Sequence, residues 1–361
     1  MTTVWGKRAD MIVHQDEPFN AEAPTEAIRD DHLTAVDGFY VRNHGPVPEI
    51  DEAAWRVAVD GLVESPVELT VDELRSRFPV QTINATLQCA GNRRAGLLEI
   101  RPIPGEHPWG SGATSTATWT GVRLADVLAT VGVQPDARHV SFIGPDVAPG
   151  AKPPQPFGGS IPLRKAMSPE VLLAWDMNGE PLTPVHGAPL RVVVPGWIGA
   201  RSIKWLERIT LSAEPSDNYF QAKVYRLAPP DAADPTDPRW QSLGPVAMNS
   251  EILSPADGAT VTAGEIEVRG YAFAGEDRVI TRVDVSPDGG ATWTQATLDA
   301  PDGPWTWQHW AVRVPIQPGT AQLLARAWDS TGALQPTSAA DVWNPKGYVN
   351  NSWARVTVTA R

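Results

Sequence analysis

The pattern of apolar and polar positions changes about two thirds of the way along this 361-residue chain. Up to about residue 240, short alternating stretches are interleaved with short helical patterns and many loops. After residue 245 the apolar residues recur at every second position, and turn pairs such as "DGG" and "STG" separate the runs. We therefore predict an α+β protein, with a mixed α/β domain followed by an all-β sandwich of immunoglobulin-like type.

Within the first part, the pattern predicts individual elements. Thr70 with acidic residues after it indicates the start of a short helix, and Gly132 indicates the end of another. The pair "NG" at 178–179 predicts a turn. Predicted helices cover 70–78 and 120–132, and predicted strands cover 55–63, 81–89, 138–144, 188–196 and 202–212. The strand 81–89 would deliver Cys89 to its carboxyl end.

The same patterns suggest the domain boundaries. Residues 1–36 are acidic and unpatterned, which predicts an extended N-terminal arm. A mixed domain is expected over 37–240, ending in a Pro- and Asp-rich linker at 227–240. The sandwich is expected over 245–361, where no helix signal is present.

Charge and composition exclude several classes of function. The net charge of −12 argues against nucleic-acid binding, because phosphate recognition needs a basic surface. No apolar run is long enough to predict a membrane span. The first residues show neither an apolar signal core nor a twin arginine. We expect a soluble protein, cytoplasmic, or periplasmic if a signal was removed.

Cys89 is the only cysteine, and it lies in "LQCAGNRR" beside two arginines. Three interpretations are open from the residue types. The thiol could be a small buried apolar group, a nucleophile paired with a histidine base, or a soft metal ligand in a positive field. A zinc site is disfavoured, because no second cysteine stands nearby and no histidine pair has ligand spacing.

The wider context favours the metal. The segment "CAGNRR" resembles the cysteine motif of the sulfite oxidase family of molybdenum enzymes, and further segments resemble that family in order and spacing. They are "FYVRNHGPVP" (39–48), "FGGSIPLRKAM" (157–167), "HGAPLRVVVPGWIGARSIKWL" (186–206), "KVYRL" (223–227) and "WNPKGYVNNSWARV" (343–356). The resemblance runs over nearly the whole chain from about residue 30.

The resemblance implies a molybdenum bound by one molybdopterin (pyranopterin dithiolene), with Cys89 as the protein ligand. A buried pterin and phosphate need planar cationic forks, imidazoles and other polar donors. By the family's pattern, the cofactor-binding residues are Arg42, His44, Asp146, His186, Arg191, Ser202 and Lys204. Each of these could instead be an exposed charge or a satisfied core residue, and for Asp146 the two interpretations are evenly matched.

The resemblance also implies a reaction. Sulfite is a compact anion that several converging cations would bind. Arg42, Arg94 and Tyr225 match the family's catalytic pocket, although a tyrosine on a strand edge can also be structural. The expected reaction is oxygen-atom transfer to sulfite, with electrons passed to an external acceptor, a cytochrome or oxygen. Pro104 stands where many members carry a basic residue, and Lys346 stands where animal and plant members tend to carry arginine; both differences bear on anion binding.

Rival functions remain open at this point. A related molybdopterin oxidoreductase could reduce nitrate or a sulfoxide, and a non-catalytic scaffold protein could retain the fold. Neither a haem domain nor the motif C-x-x-C-H is recognised in the sequence. By resemblance the second domain mediates a homodimer, and the simpler alternative is a domain that only packs on the first.

Overall fold

Two five-stranded sheets form the mixed domain in the computed structural model, which describes residues 4–228, 231, 232, 234 and 237–361. One sheet has the order β10-β9-β6-β5 with β11 also paired to β9, and the other has the order β4-β3-β12-β7-β8. The strands are β3 (Val57–Gly61), β4 (Val67–Leu69), β5 (Val80–Gln88), β6 (Thr114–Arg123), β7 (His139–Ala148), β8 (Gln155–Pro162), β9 (Leu172–Met177), β10 (Glu180–Pro181), β11 (Arg191–Val193) and β12 (Arg208–Ser212).

Helices are short throughout, as the many prolines and glycines predict. The α-helices are α1 (Glu26–Arg29), α2 (Val71–Arg77), α3 (Arg94–Leu98), α4 (Leu124–Val131) and α5 (Leu163–Ala166), and single helical turns occur at Val4–Gly6, Pro184–His186, Gly199–Arg201, Phe220–Val224 and Ala339–Val342. Helix α2 begins with the predicted capping box between Thr70 and Glu73. None of the helices in the described part of the chain has the length and apolar character that crossing a membrane requires.

The N-terminal arm differs from the unpatterned segment that the sequence predicts. It contains β1 (Ile12–Gln15), paired antiparallel with β2 (Asn20–Glu22), and then α1. Asn20 and Glu22 are buried, and the backbone of Ala21 pairs with that of Val41 in the mixed domain. Stretches of three or four residues are too short to show a period, which is why the pattern did not reveal them.

Three further sequence predictions need correction. The predicted helix 120–132 begins at Leu124, because residues 120–123 complete β6. The predicted strand 202–212 is a strand only from Arg208, because a helical turn ends at Arg201 and Trp205 has a left-handed backbone. The predicted strand 188–196 is regular only over Arg191–Val193.

The predicted linker lies partly outside the described residues. Two short strands, β13 (Arg226–Leu227) and β14 (Gln241–Ser242), pair with each other across it. Between them, Ala228, Ala232 and Trp240 form a small buried cluster. The described part of this segment is therefore packed.

The C-terminal domain is a two-sheet β-sandwich. One sheet has the order β15-β17-β21-β20 and the other has the order β16-β23-β22-β18-β19. The strands are β15 (Asn249–Ser254), β16 (Thr260–Val261), β17 (Gly264–Phe273), β18 (Ile280–Ser286), β19 (Thr294–Gln295), β20 (Thr297–Leu298), β21 (Gln308–Ile316), β22 (Gly319–Asp329) and β23 (Ala354–Ala360). Alternating residues of both sheets bury a separate apolar core, which confirms the predicted α+β class with an all-β second domain.

Candidate active site

Cys89 lies directly after β5 and is 7% exposed. Its amide donates to the carbonyl of Ala113 at 2.9 Å, and the Gly91 amide donates to its sulfur at 3.4 Å. Burial raises the pKa of the thiol, while the charges of Arg42 and Arg94 oppose that shift. The geometry presents one soft donor atom in a positive field, as a metal ligand requires.

A cavity opens over Cys89, and the structure brings nine of the ten predicted site residues into its lining. They come from the loop after the arm, from the ends of strands and from single helical turns. The nine are Arg42, His44, Cys89, Asp146, His186, Arg191, Ser202, Lys204 and Tyr225. Residues that are distant in sequence therefore converge on one side of the thiol.

His44 and Tyr225 form a hydrogen-bonded pair in this cavity. Nε2 of His44 lies 2.7 Å from the Tyr225 hydroxyl, and the imidazole stacks on Phe157 at 4.0 Å. Burial, followed by the charge of Arg42, holds the pKa of His44 well below its usual range, and burial raises the pKa of Tyr225. Both groups are neutral at physiological pH, so the pair orients a hydroxyl without adding charge.

His186 is held by a lysine of the N-terminal arm. Lys7 donates to Nε2 of His186 at 2.5 Å and to the carbonyl of Phe39 at 2.9 Å. Burial, followed by the charge of Lys7, holds the pKa of His186 well below its usual range. Burial also lowers the pKa of Lys7 to about 7, with Asp37 opposing. The arm thus positions a neutral imidazole at the cavity wall.

Lys204 and Asp146 both line the cavity, and the charge of each acts on the pKa of the other. Lys204 donates to the side-chain oxygen of Asn43 and to the carbonyl of Val185. Burial lowers the pKa of Lys204, and burial raises the pKa of Asp146 to about 7 while Lys204 opposes that rise. An anion next to Lys204 would favour its charged form, since opposite charges stabilise each other in a poorly solvated site.

Arg191 and Ser202 are fixed by backbone contacts. The Arg191 guanidinium donates to the carbonyls of His186 at 2.9 Å and Ser202 at 3.1 Å, and it stacks over Trp119 at 4.9 Å. The Ser202 hydroxyl accepts from the Val194 amide at 3.0 Å. This arginine is held by two backbone carbonyls, and its Nε has no hydrogen-bond partner among the described residues.

The cavity has more hydrogen-bonding capacity than the described chain uses. Nε of Arg191 and Oδ1 of Asp146 are buried and have no hydrogen-bond partner among the described residues. Buried polar atoms are nearly always paired, because leaving them unpaired costs about 1–3 kcal/mol each. The cavity wall therefore fits a ligand that both accepts and donates hydrogen bonds.

Arg94 is the tenth predicted residue, and it lies beside the cavity rather than in its lining. Its guanidinium contacts the Glu106 carboxylate at 3.3 Å and donates to the carbonyls of His107 and Gly347, each at 3.0 Å. It also lies 5.3 Å from the ring centre of Tyr348. Its charge still acts on both Cys89 and Tyr225. Arg94 is thus close to the site but already paired.

Arg93, the neighbouring arginine, points the other way. It has a left-handed backbone (φ 63°) and its side chain donates to Asn249 at 2.8 Å and to the Ser352 carbonyl at 2.7 Å. It also pairs with Glu251 at 2.7 Å. Arg94 therefore lies beside the cavity, whereas Arg93 joins the loop that carries Cys89 to the sandwich.

Comparison with known proteins decides the family. Residues 44–220 match the family described as "Oxidoreductase molybdopterin binding domain", and residues 242–361 match "Mo-co oxidoreductase dimerisation domain". The chain is 43% identical to sulfite oxidase of Gallus gallus, over 95% of this chain and 76% of that protein. It is 39% identical to sulfite oxidase of Arabidopsis thaliana, over 97% of this chain and 94% of that protein.

The chain belongs to the sulfite oxidase family. It is a molybdenum oxidoreductase of that family, as the sequence resemblance predicted. The structure resembles that of the sulfane dehydrogenase SoxCD of Paracoccus pantotrophus, with a TM-score of 0.81 and 27% identity, over 98% of this chain and 90% of that one. The chain spans 65% of the length of mitochondrial sulfite oxidase of Homo sapiens.

The residues present fit the cofactor that this family binds. Molybdopterin brings a phosphate and a ring system with both donors and acceptors, and the unpaired atoms of Arg191 and Asp146 suit such groups. Arg42 and Lys204 line the same cavity, and a phosphate next to Lys204 would favour the charged form of the lysine. Cys89 supplies one soft sulfur, which complements a dithiolene that supplies two.

Four residues of this sulfite oxidase family site were missed by sequence analysis. Lys7 lies in the N-terminal arm, where the sequence shows no pattern, and contacts His186. Tyr40 and Asn43 line the cavity and lie next to the predicted site residues in sequence. Glu106 lies in the irregular segment after α3. Tyr40 and Asn43 stand in the quoted segment "FYVRNHGPVP", whereas Lys7 carries no signal in the sequence.

Proposed function

We propose that this protein oxidises sulfite to sulfate and passes the electrons to an external acceptor, a cytochrome or oxygen. The observation that carries the proposal is the buried Cys89 thiol facing a cavity lined by Arg42, His44 and Tyr225. A related molybdopterin chemistry would use the same cysteine, and nitrate is also a compact anion; sulfite is favoured by the 43% and 39% identity to the sulfite oxidases of Gallus gallus and Arabidopsis thaliana.

The cofactor would be held by residues around this cavity. Cys89 would ligate the molybdenum, and the pterin and its phosphate would be held by Arg42, His44, Asp146, His186, Arg191, Ser202 and Lys204. When bound, the molybdenum centre supplies two-electron oxygen-atom transfer. Because an anionic phosphate would keep Lys204 protonated, the lysine would pair with it as a point charge.

The remaining residues would bind and orient the substrate. Arg42 and Arg94 would attract the anion by their charges, and the guanidinium of Arg42, which lines the cavity, would hold it by hydrogen bonds. Tyr225 would direct its hydroxyl at the reacting oxygen, with His44 at 2.7 Å fixing the orientation of that hydroxyl. These groups contribute positioning and charge compensation, and no covalent bond to the chain is needed.

The second domain would provide the partner surface. Residues 242–361 match a dimerisation domain, so a homodimer formed through the sandwich is proposed. The electron acceptor would dock separately. The net charge of −12 would favour a basic cytochrome over an acidic one.

The test is sulfite-dependent reduction of ferricyanide by protein shown to contain molybdenum. The parent is compared with Cys89→Ser and with Met167→Ser, a surface control whose sulfur side chain is 42% exposed. Activity in the parent and the control, with none in Cys89→Ser, supports the proposal. No sulfite activity in fully loaded parent protein would overturn the sulfite assignment, and nitrate and a sulfoxide would then be tested as oxygen donors.

A further inference from the structure

A cluster of three metal-binding residue types lies away from the cavity, where the N-terminal segment meets the sandwich. His32 follows α1, Asp299 follows β20, and His309 belongs to β21. One ligand atom from each lies within 4.8 Å of the others. The sulfite oxidase chemistry proposed above uses none of these three residues.

The backbone holds the cluster in place. The amide of Asp299 donates to the carbonyl of His309 at 2.9 Å, so the β20–β21 pairing fixes two of the three residues side by side. The indole of Trp307 donates to the carbonyl of His32 at 2.9 Å. His32 is thus held next to the start of β21, and the three side chains are preorganised.

His309 carries an unpaired nitrogen. The residue is 6% exposed, and its Nε2 has no hydrogen-bond partner among the described residues. The backbone of Ile28 hydrogen-bonds the ring, which leaves Nε2 as the free position. Burial lowers the pKa of His309, and the imidazole is therefore neutral with a lone pair available to an ion.

His32 lies close to two carboxylates and to the ring of His309. Its Nε2 lies 3.5 Å from Oδ2 of Asp299, its Nδ1 lies 3.8 Å from Oδ2 of Asp302, and its ring centre is 4.9 Å from that of His309. Ligating histidines almost always present their second nitrogen to a carboxylate or a backbone carbonyl. For His309 the backbone of Ile28 has this place. Nδ1 of His32 is buried and has no hydrogen-bond partner among the described residues, with the Asp302 carboxylate nearby but beyond hydrogen-bond distance.

We propose that His32, Asp299 and His309 form a binding site for a divalent transition-metal ion, with Zn²⁺ as the best match. Two imidazoles and one carboxylate suit Zn²⁺, whereas Ca²⁺ and Mg²⁺ prefer oxygen donors alone. Three protein ligands leave one position for water or another ligand. The ion would join the N-terminal segment to the sandwich.

The surroundings permit the ion to reach the site. The side chain of Asp299 is 55% exposed and that of His32 is 31% exposed. Arg269, whose charge also acts on His309, is itself paired with Asp30 at 3.5 Å and Glu267 at 3.3 Å. Its repulsion of a cation is therefore partly compensated.

The test uses the full-length, molybdenum-loaded chain without an affinity tag, stripped of loosely held metal by a chelator. Zn²⁺ is titrated by calorimetry, and bound zinc is then counted by elemental analysis. The variants are His32→Gln and Asp299→Asn, both at partly exposed side chains that can change without opening the core. His139→Gln is the matched control, since this partly exposed histidine lies on β7, in the mixed domain.

We expect one zinc per chain in the parent and in the control, with affinity reduced at least tenfold in the two site variants. Asp302→Asn should weaken binding less than the two site variants do, because this carboxylate lies 3.8 Å from Nδ1 of His32 and acts on the site through its charge. Equal zinc binding in all variants would show that the ion sits elsewhere and would overturn the proposal. Absence of zinc binding in the parent would also overturn the proposal and would leave His32 as a histidine lying beside two carboxylates. Neither result depends on sulfite activity.

Discussion

The Arg94 guanidinium and the Glu106 carboxylate lie 3.3 Å apart at the side of the cavity, with the arginine 3% and the acid 23% exposed. The charge that would attract sulfite is therefore balanced before the substrate arrives. The carboxylate also acts on Cys89 and Tyr225, and it raises the pKa of both. An incoming anion has to compete with Glu106 for Arg94.

Glu106→Gln should therefore lower the KM for sulfite. The amide keeps the shape of the side chain but removes the competing charge, so we expect a decrease of roughly three- to tenfold, about 0.7–1.4 kcal/mol of binding free energy. Steady-state kinetics at low ionic strength measure it. The control is Glu99→Gln, an exposed acid at the end of α3. An unchanged or increased KM would show that Arg94 does not act on the substrate.

Tyr225→Phe should lower kcat by about a hundredfold, with a much smaller change in KM. The substitution removes the hydroxyl that is 2.7 Å from His44, and the loss of one oriented donor at a reacting oxygen has an effect of that size elsewhere. Tyr219→Phe serves as the control, since this half-buried tyrosine precedes the nearby helical turn Phe220–Val224. Equal kcat values in parent and variant would assign Tyr225 a packing role.

The sequence predicted the elements that have clear local signals. The capping box at Thr70, the strand that ends before Cys89 and the period-two sandwich were all recognisable. Contacts between irregular segments were not, because they have no period to detect. The pairing of Arg94 with Glu106 and the docking of Lys7 on His186 are of this kind.

The cavity was predictable for a different reason. Its residues lie in short segments whose types and order resemble one family, and the fold brings nine of the ten together. The resemblance could not show which guanidinium N–H groups already have hydrogen-bond or ion-pair partners within the protein. Arg191 keeps one free nitrogen, whereas Arg94 is fully engaged with Glu106 and two carbonyls.

Arg93→Ala should destabilise the junction between the cysteine loop and the sandwich. The change leaves Glu251, whose side chain is 13% exposed, without its 2.7 Å partner, and breaking such a pair costs about 3–5 kcal/mol. Urea denaturation measures the free energy of unfolding. The double variant Arg93→Met with Glu251→Gln should recover part of the loss, because no buried charge is then left unpaired. A single variant as stable as the parent would contradict this account.

In the cofactor-free protein, Asp146 should contribute a loss of stability as the pH rises from about 4 to about 7, opposite in sign to the contributions of the buried His44 and His186, whose pKa values are lowered. Burial raises the pKa of this carboxyl from 3.8 to about 7, so in that window the folded state binds a proton that the unfolded state has released. The slope is at most about 1.4 kcal/mol per pH unit. Urea denaturation measures this contribution: the change in the free energy of unfolding from pH 5 to pH 7 should be more positive in Asp146→Asn than in the parent or in the exposed control Asp136→Asn. The same pH dependence in all three would exclude Asp146 as its source.

Lys7→Met should weaken retention of the molybdenum cofactor without altering the affinity for sulfite. The lysine donates to His186 and to the backbone carbonyls of Val36 and Phe39, so its loss frees the imidazole that lines the cavity. It makes no contact with Tyr225 or Arg94 in the described structure, and molecules that keep the cofactor should retain a normal KM. Molybdenum content per chain after gel filtration, measured beside Lys152→Met at an exposed lysine, reports the loss. A normal content with a raised KM would instead place the effect of Lys7 on the substrate side of the cavity.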